Sequence, residues 1–153
     1  MRARSFRMLL GGAVVLAALT GCTPPTTEGT EMKIDATAIE RELESIDGVA
    51  SATIGTASTG TPGSYRLSAK IELDEQGDAA LGEVLLGAVH AVEAGADGFT
   101  TYAFYVAAPD PAGGDAPAEQ RLNDRRSEIP IDVGAYRGSG LVFTEEELAE
   151  AAG

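Results

Sequence analysis

The chain has one cysteine and one histidine, Cys22 and His90, so its capacity for thiol or imidazole chemistry rests on two positions. A single thiol closes no intrachain disulfide, and the fold must be held by its apolar core. His90 lies in a stretch of helical periodicity, roughly opposite the apolar stripe Leu81, Val84, Leu85, Ala88 and Val92 and on the side that carries Glu83. A zinc site needs about three or four protein ligands, so His90 reads as a solvated surface residue and no metal is expected. Carboxylates cluster at Asp74, Glu75 and Asp78, at Asp110 and Asp115, and at Glu145 to Glu147. Calcium takes about six to eight oxygens, and the EF-hand spacing is absent, so these clusters read as solvated faces and helix caps. Gly138-Ser139-Gly140 is not the glycine-framed serine of a nucleophile elbow, and no Walker or dinucleotide glycine pattern follows a strand. No catalytic residue and no cofactor are expected.

Cys22 stands in a different context. Arg2, Arg4 and Arg7 open the chain without an acidic residue, and an apolar run from Met8 to Leu19 follows, broken only by Gly11 and Gly12. These are the charged and apolar regions of an export signal. The run is about a dozen residues, short of the roughly 20 that cross a hydrocarbon core. It ends in Leu19-Thr20-Gly21-Cys22, which resembles the lipobox of bacterial lipoproteins. The resemblance covers residues 1–22 only. It implies that residues 1–21 are a signal peptide cut just before Cys22, that the Cys22 sulfur carries a diacylglyceryl group, and that the freed amino group can take a fatty acid such as palmitate. The implied location is the extracytoplasmic face of the cell membrane, lipid-anchored.

The net charge is −13, and the signal holds three cations and no acid, which leaves the mature part at −16. A domain this acidic is repelled by phosphodiester backbones and by anionic head groups, which argues against nucleic-acid binding and leaves membrane affinity to the lipid.

Residues 22–30 comprise the cysteine and a Thr/Pro/Glu/Gly tether with no large apolar side chain. Residues 31–153 are long enough for one domain. Ile34 to Ile46 carries Ala36, Ile39, Leu43 and Ile46 at helical spacing, with Asp35 or Thr37 as cap and Asp47-Gly48 as stop. Val49 to Ala57 and Tyr65 to Leu73 form a hairpin; in the second strand Tyr65, Leu67, Ala69, Ile71 and Leu73 alternate with Arg66, Ser68, Lys70 and Glu72, giving one packed face and one wet face. A second helix spans Ala79 to Ala94, where Gly82 and Gly87 each cost about 1 kcal/mol against alanine, so packing must hold it. Phe99 to Ala108 reads as a buried strand. A mobile loop is expected over 109–126, an edge strand or an extended arm with Pro130 over Ser127 to Val133, then a strand at Leu141 to Phe143 and a short helix opened by the capping box Thr144 to Glu147.

The expected fold is α+β: a two-layer sandwich of an antiparallel sheet with helices on one face, plus a C-terminal strand and short helix. If Glu31 to Ile34 is a strand the order is βαββαβ, ferredoxin-like; otherwise it is αββαβ with Ile129 to Val133 filling the edge. Such folds host many activities, so function has to come from a site. Two surfaces are candidates for interaction: the basic group Arg121, Arg125, Arg126 and Arg137, and the aromatic strand at Phe99, Tyr102 and Phe104. The favoured role is a non-enzymatic binding or interaction module with a protein or peptide partner, of unspecified oligomeric state. The alternatives are a lipid-anchored hydrolase using surface carboxylates such as Glu83 with His90, and a carrier of a small hydrophobic or peptide ligand. Whether the segment from Arg121 to Gly153 covers the side of the aromatic strand away from the helices decides whether that side is structural or open.

Overall fold

The computed structural model describes residues 33–153. β1 (Lys33–Ile34) leads into α1 (Ala36–Glu44), whose N-cap is Asp35; its carboxylate accepts from the Ala38 amide at 3.0 Å. Ile39 and Leu43 are the buried side of α1. The chain reverses at Gly48, where φ is +90° and a Cβ would run into the backbone of Gly77. This glycine-to-glycine approach seats the turn against α2 (Glu75–Ala79), a short helix capped by Asp74 through a 2.8 Å bond from the Gly77 amide. The expected second helix therefore begins earlier and in two pieces: the axis breaks at Ala80, and α3 (Leu81–Gly95) follows.

β2 (Val49–Ser58) and β3 (Tyr65–Leu73) form the antiparallel hairpin that their alternation predicts. α3 then returns the chain to the end where β3 began, as a helical crossover does, so β5 (Thr101–Ala108) lies beside β3 and parallel to it. The sheet is consequently mixed, which corrects the expectation of a wholly antiparallel one. Its order is β2-β3-β5-β8-β7, with β6 (Ala118–Glu119) alongside the end of β5; β7 (Ala135–Arg137) and β8 (Gly140–Phe143) form an antiparallel hairpin at the far edge. In a ferredoxin-like arrangement a strand preceding α1 would separate the two parallel strands. Here β1 pairs instead with β4 (Ala96–Asp97) in a two-stranded ladder outside the main sheet.

Of the two forms expected for Ser127 to Val133, edge strand and extended arm, the chain does not take the first: Leu122–Glu128 is a 3-10 segment and residues 129–132 pair with no strand. Pro130 offers no amide to a ladder, and burying Ile129 and Ile131 takes the place of pairing. Within 109–126, β6 pairs with β5 and Leu122 is fully buried.

α3 packs between α1 and α4 (Glu145–Ala152), so these three helices form one layer on one face of the sheet. α4 opens with the anticipated capping box, Thr144 and Glu147 each satisfying the other's backbone amide. The core lies between the layers. Leu67, Ala69 and Ile71 stand in register with Tyr102, Phe104 and Val106, and Phe143 and Leu141 continue the rows opposite Tyr102 and Phe104. Phe104 meets Phe143 edge to face at 5.6 Å, and Phe99 meets Tyr102 likewise at 5.9 Å, the geometry that aromatic quadrupoles favour. Among the described residues no polar or charged residue is buried.

β2 is a free edge, and α1 closes part of it. The Glu40 carboxylate accepts from the Ile54 amide at 2.8 Å, and that of Glu44 from the Ala52 amide at 3.4 Å. Glu40 thus serves the sheet, rather than completing the Thr37 capping box that its spacing suggests, because Asp35 already caps the helix.

Candidate functional site

Cys22, with the whole of residues 1–32, lies outside the described residues. The remaining expected site residues separate into distinct environments.

The aromatic candidates are core. Phe99, Tyr102 and Phe104 are 1%, 1% and 0% exposed, so they offer no interaction surface. They pack against the helices and against each other as filled interior, where a ligand carrier would need a cavity. Burial raises the Tyr102 pKa, opposed by a hydrogen bond to the Phe99 backbone and reinforced by the carboxylates of Glu145, Asp97 and Glu93.

The four arginines do not converge. Arg125 is a clamp: its guanidinium pairs with the Asp78 carboxylate, bonds the Asp78 carbonyl at 2.7 Å and pairs with Glu128 at 2.6 Å. It ties the α2–α3 junction to the 3-10 segment, which commits this arginine to the domain's own carboxylates. Bonding to Glu128 raises the Arg125 pKa, and Arg125 in turn holds the Glu128 carboxyl below the usual carboxylate range. The same junction depends on Gly82. A Cβ there would collide with the Glu128 carbonyl and lie 2.8 Å from Pro130 Cδ. Arg126 lies over the Tyr136 ring, 5.5 Å from its centroid. The Tyr136 hydroxyl is buried and meets no hydrogen-bond partner among the described residues; burial raises its pKa, and Arg126 moderates the rise. Arg121 is exposed near Glu119, Gly138 and Ser139, and Arg137 is exposed on β7.

Glu83 and His90 are both exposed on α3 and seven positions apart, about 10 Å along the axis. His90 borders an open groove between α1 and α3 with Asp35, Glu42, Gly87 and Ala91, whereas Glu83 faces Ser127 and Pro130. They are not a catalytic pair in this geometry. Among the described residues no three His, Cys, Asp or Glu side chains come together as a metal site, and no helix is long and apolar enough to cross a membrane.

The decisive surface is the face of the sheet opposite the helices. β7 and β8 extend the sheet sideways and α4 joins the helix layer, so the C-terminal segment leaves this face open. Strand register lays out its side chains. One row runs Gly55, Ser68, Ala103, Val142, Ala135; the next runs Thr53, Lys70, Tyr105, Gly140, Arg137. The first row is a low lane of small residues with Ala103 buried at its floor. In the second, the Tyr105 ring lies across Gly140, where a Cβ would sit 2.8 Å from the ring. Arg66, beside Thr101, adds a third exposed cation to Lys70 and Arg137. Sequence reasoning recognised the wet side of β3 but not its continuation through Tyr105 and Arg137. The signal for it was the alternation of Thr101, Ala103, Tyr105 and Ala107 with the bulkier inward residues.

Comparison of the chain with protein-family models, with curated proteins and with solved structures returns no match.

Proposed function

We propose that this chain is a membrane-anchored cell-envelope lipoprotein, held by lipid on Cys22 at the extracytoplasmic face, whose α+β domain acts as a non-enzymatic interaction module for a protein or peptide partner. The observation that carries the reading is Leu19-Thr20-Gly21-Cys22, the sole cysteine, placed directly after a cationic start and an apolar run too short to span a bilayer. The domain's chemistry is consistent with it. Its carboxylates cap helices at Asp35, Asp74 and Glu147, close a sheet edge at Glu40 and pair with Arg125 at Asp78 and Glu128, so what the domain offers outward is surface.

The test is metabolic labelling of the full-length chain in a bacterial host with a clickable fatty-acid analogue, followed by membrane fractionation. The wild type takes up label and sediments with membranes, and Cys22→Ser loses both. Label retained by Cys22→Ser overturns the anchor. Affinity capture from detergent-solubilised membranes then tests the module, and repeated absence of any enriched protein or peptide counts against it.

A further inference from the structure

We propose that the open sheet face is a docking surface for the anionic head groups of the bilayer, so that the domain lies sheet-down on the membrane with its acidic helix layer outward. The proposal rests on the anchor reading for its setting, and its direct evidence is the distribution of charge.

Of the 11 Lys and Arg residues, three precede Cys22, which leaves eight from Lys33 onward. Arg66, Lys70 and Arg137 of these share the open face, and all three are exposed. Among the described residues the only two ion pairs belong to Arg125, so these three cations are unpaired there. The strand positions of that face carry two carboxylates: Glu72, which accepts a 2.8 Å hydrogen bond from the Ser51 hydroxyl, and Glu119 of β6, opposite Ala107. Glu72 lies towards the end of the face where Glu119 of β6 also lies, beside Lys70 and Tyr105. The three cations thus lie on the Arg66 side of the Glu72–Glu119 row, on a face whose one large uncharged side chain, Tyr105, is the amphipathic type that settles at head-group depth. Repulsion inferred from net charge alone overlooks this separation. The helix layer stands roughly 10 Å behind the sheet, beyond the Debye length of about 8 Å at physiological salt, so its carboxylates are screened from a surface that the sheet touches.

The position of the tether fits the same orientation. Ten residues separate Cys22 from Lys33, a reach of at most about 35 Å. The chain enters the domain in the β1–β4 ladder, whose second strand shortly precedes β5, at the end of the sheet where Arg66 pairs with Thr101. Each near-surface cation raises partition onto an anionic leaflet about fivefold, and the two carboxylates Glu72 and Glu119 offset two of the three, which leaves about fivefold. That is weak for a free domain, but a short tether supplies an effective concentration in the millimolar range and makes docking a populated state.

The mature chain from Cys22 is coupled through its only thiol to a maleimide lipid in nanodiscs, which provides the anchor whether or not cells attach one. Failure of docking is thereby separated from failure of the lipoprotein reading. Paramagnetic head-group labels are read by NMR. In discs of about one-third phosphatidylglycerol, signals of Ser68, Tyr105 and Val142 broaden while those of Ala91 and Ala94 on α3 do not. Broadening is lost in phosphatidylcholine discs, in 1 M salt, and in the Arg66→Gln/Lys70→Gln/Arg137→Gln variant, whose fold is checked by its amide spectrum. The salt series decides the matter on the wild type if that variant does not fold. Broadening that is equal on both layers, or indifferent to lipid charge and salt, overturns the proposal. So does displacement of the face from anionic discs by an acidic peptide at micromolar concentration, which would assign it to a protein partner.

Discussion

The two faces of the sheet are built from the same strands and have opposite roles. On β3, Leu67, Ala69, Ile71 and Leu73 are buried under the helices, while Arg66, Lys70 and Glu72 on the intervening positions are exposed. On β5 the contrast is blurred, because Ala103 on the open side is as buried as Phe104 on the closed side. The cause differs on the two sides. Phe104 is buried by the helix layer and Phe143, whereas Ala103 is a small residue between Ser68 and Val142 in the middle of a sheet. A central strand can therefore read as apolar throughout without being covered on both sides. Volume marks the closed face, and smallness marks the open one.

Substitutions on either side sharpen that contrast. The largest effect is expected for Phe104→Ala, a loss of about 3 to 5 kcal/mol for a fully buried ring, against a change within about 0.5 kcal/mol for Lys70→Gln on the neighbouring strand, next to Ala69 and on the other face; urea midpoints at unchanged m-value measure both. Comparable losses at both positions would mean that the open face is covered. Gly82→Ala comes next. Helix propensity alone would reward it by about 1 kcal/mol, but the collision with the Glu128 carbonyl should turn the sign and destabilise by about 1 to 3 kcal/mol in the same assay.

Tyr136→Phe should raise stability by about 1 kcal/mol, because it removes a buried hydroxyl without a partner and keeps the ring under Arg126. Tyr136 and Tyr102 both have raised folded pKa values, so their contribution is fully present below the ordinary tyrosine value of about 10 and is lost as pH rises through the folded value. Alkaline melts should accordingly show a later loss of stability in Tyr136→Phe. The smallest effect concerns the clamp. Glu128 has a depressed folded pKa, so its contribution is present above the ordinary value of about 4.3 and is lost as pH falls through the folded one. Arg125→Met should flatten that part of the acid stability curve, and an unchanged slope would show that the pair carries no linkage.

Local signals were readable from the sequence because they depend on a few adjacent residues. Asp35 and Thr144 announced the caps of α1 and α4, and strict alternation announced β3 and its hairpin with β2. Pairing between distant segments was not readable in this way. Periodicity says which side of β5 is buried but not that its neighbour is β3, nor that the two run parallel. The alternation of Ile129 and Ile131 correctly marked burial, yet the edge went to Ala135–Arg137, three residues with too little pattern to register. The site showed the same division. Arg125 finds Asp78 47 positions away, which spacing along the chain could not disclose, and the open face exists only once β3, β5, β8 and β7 are laid side by side.

The contacts from Glu40 and Glu44 to β2 have a consequence for how copies of this chain behave as neighbours. A sheet margin with unmatched amides is a template for strand addition, and a protein confined to a plane meets its own kind edge-on far more often than one free in three dimensions. With the Ile54 and Ala52 amides already occupied by a helix of the same molecule, the near half of that margin presents carboxylates to an approaching strand. Lateral crowding should then yield separate molecules in place of zippered ones.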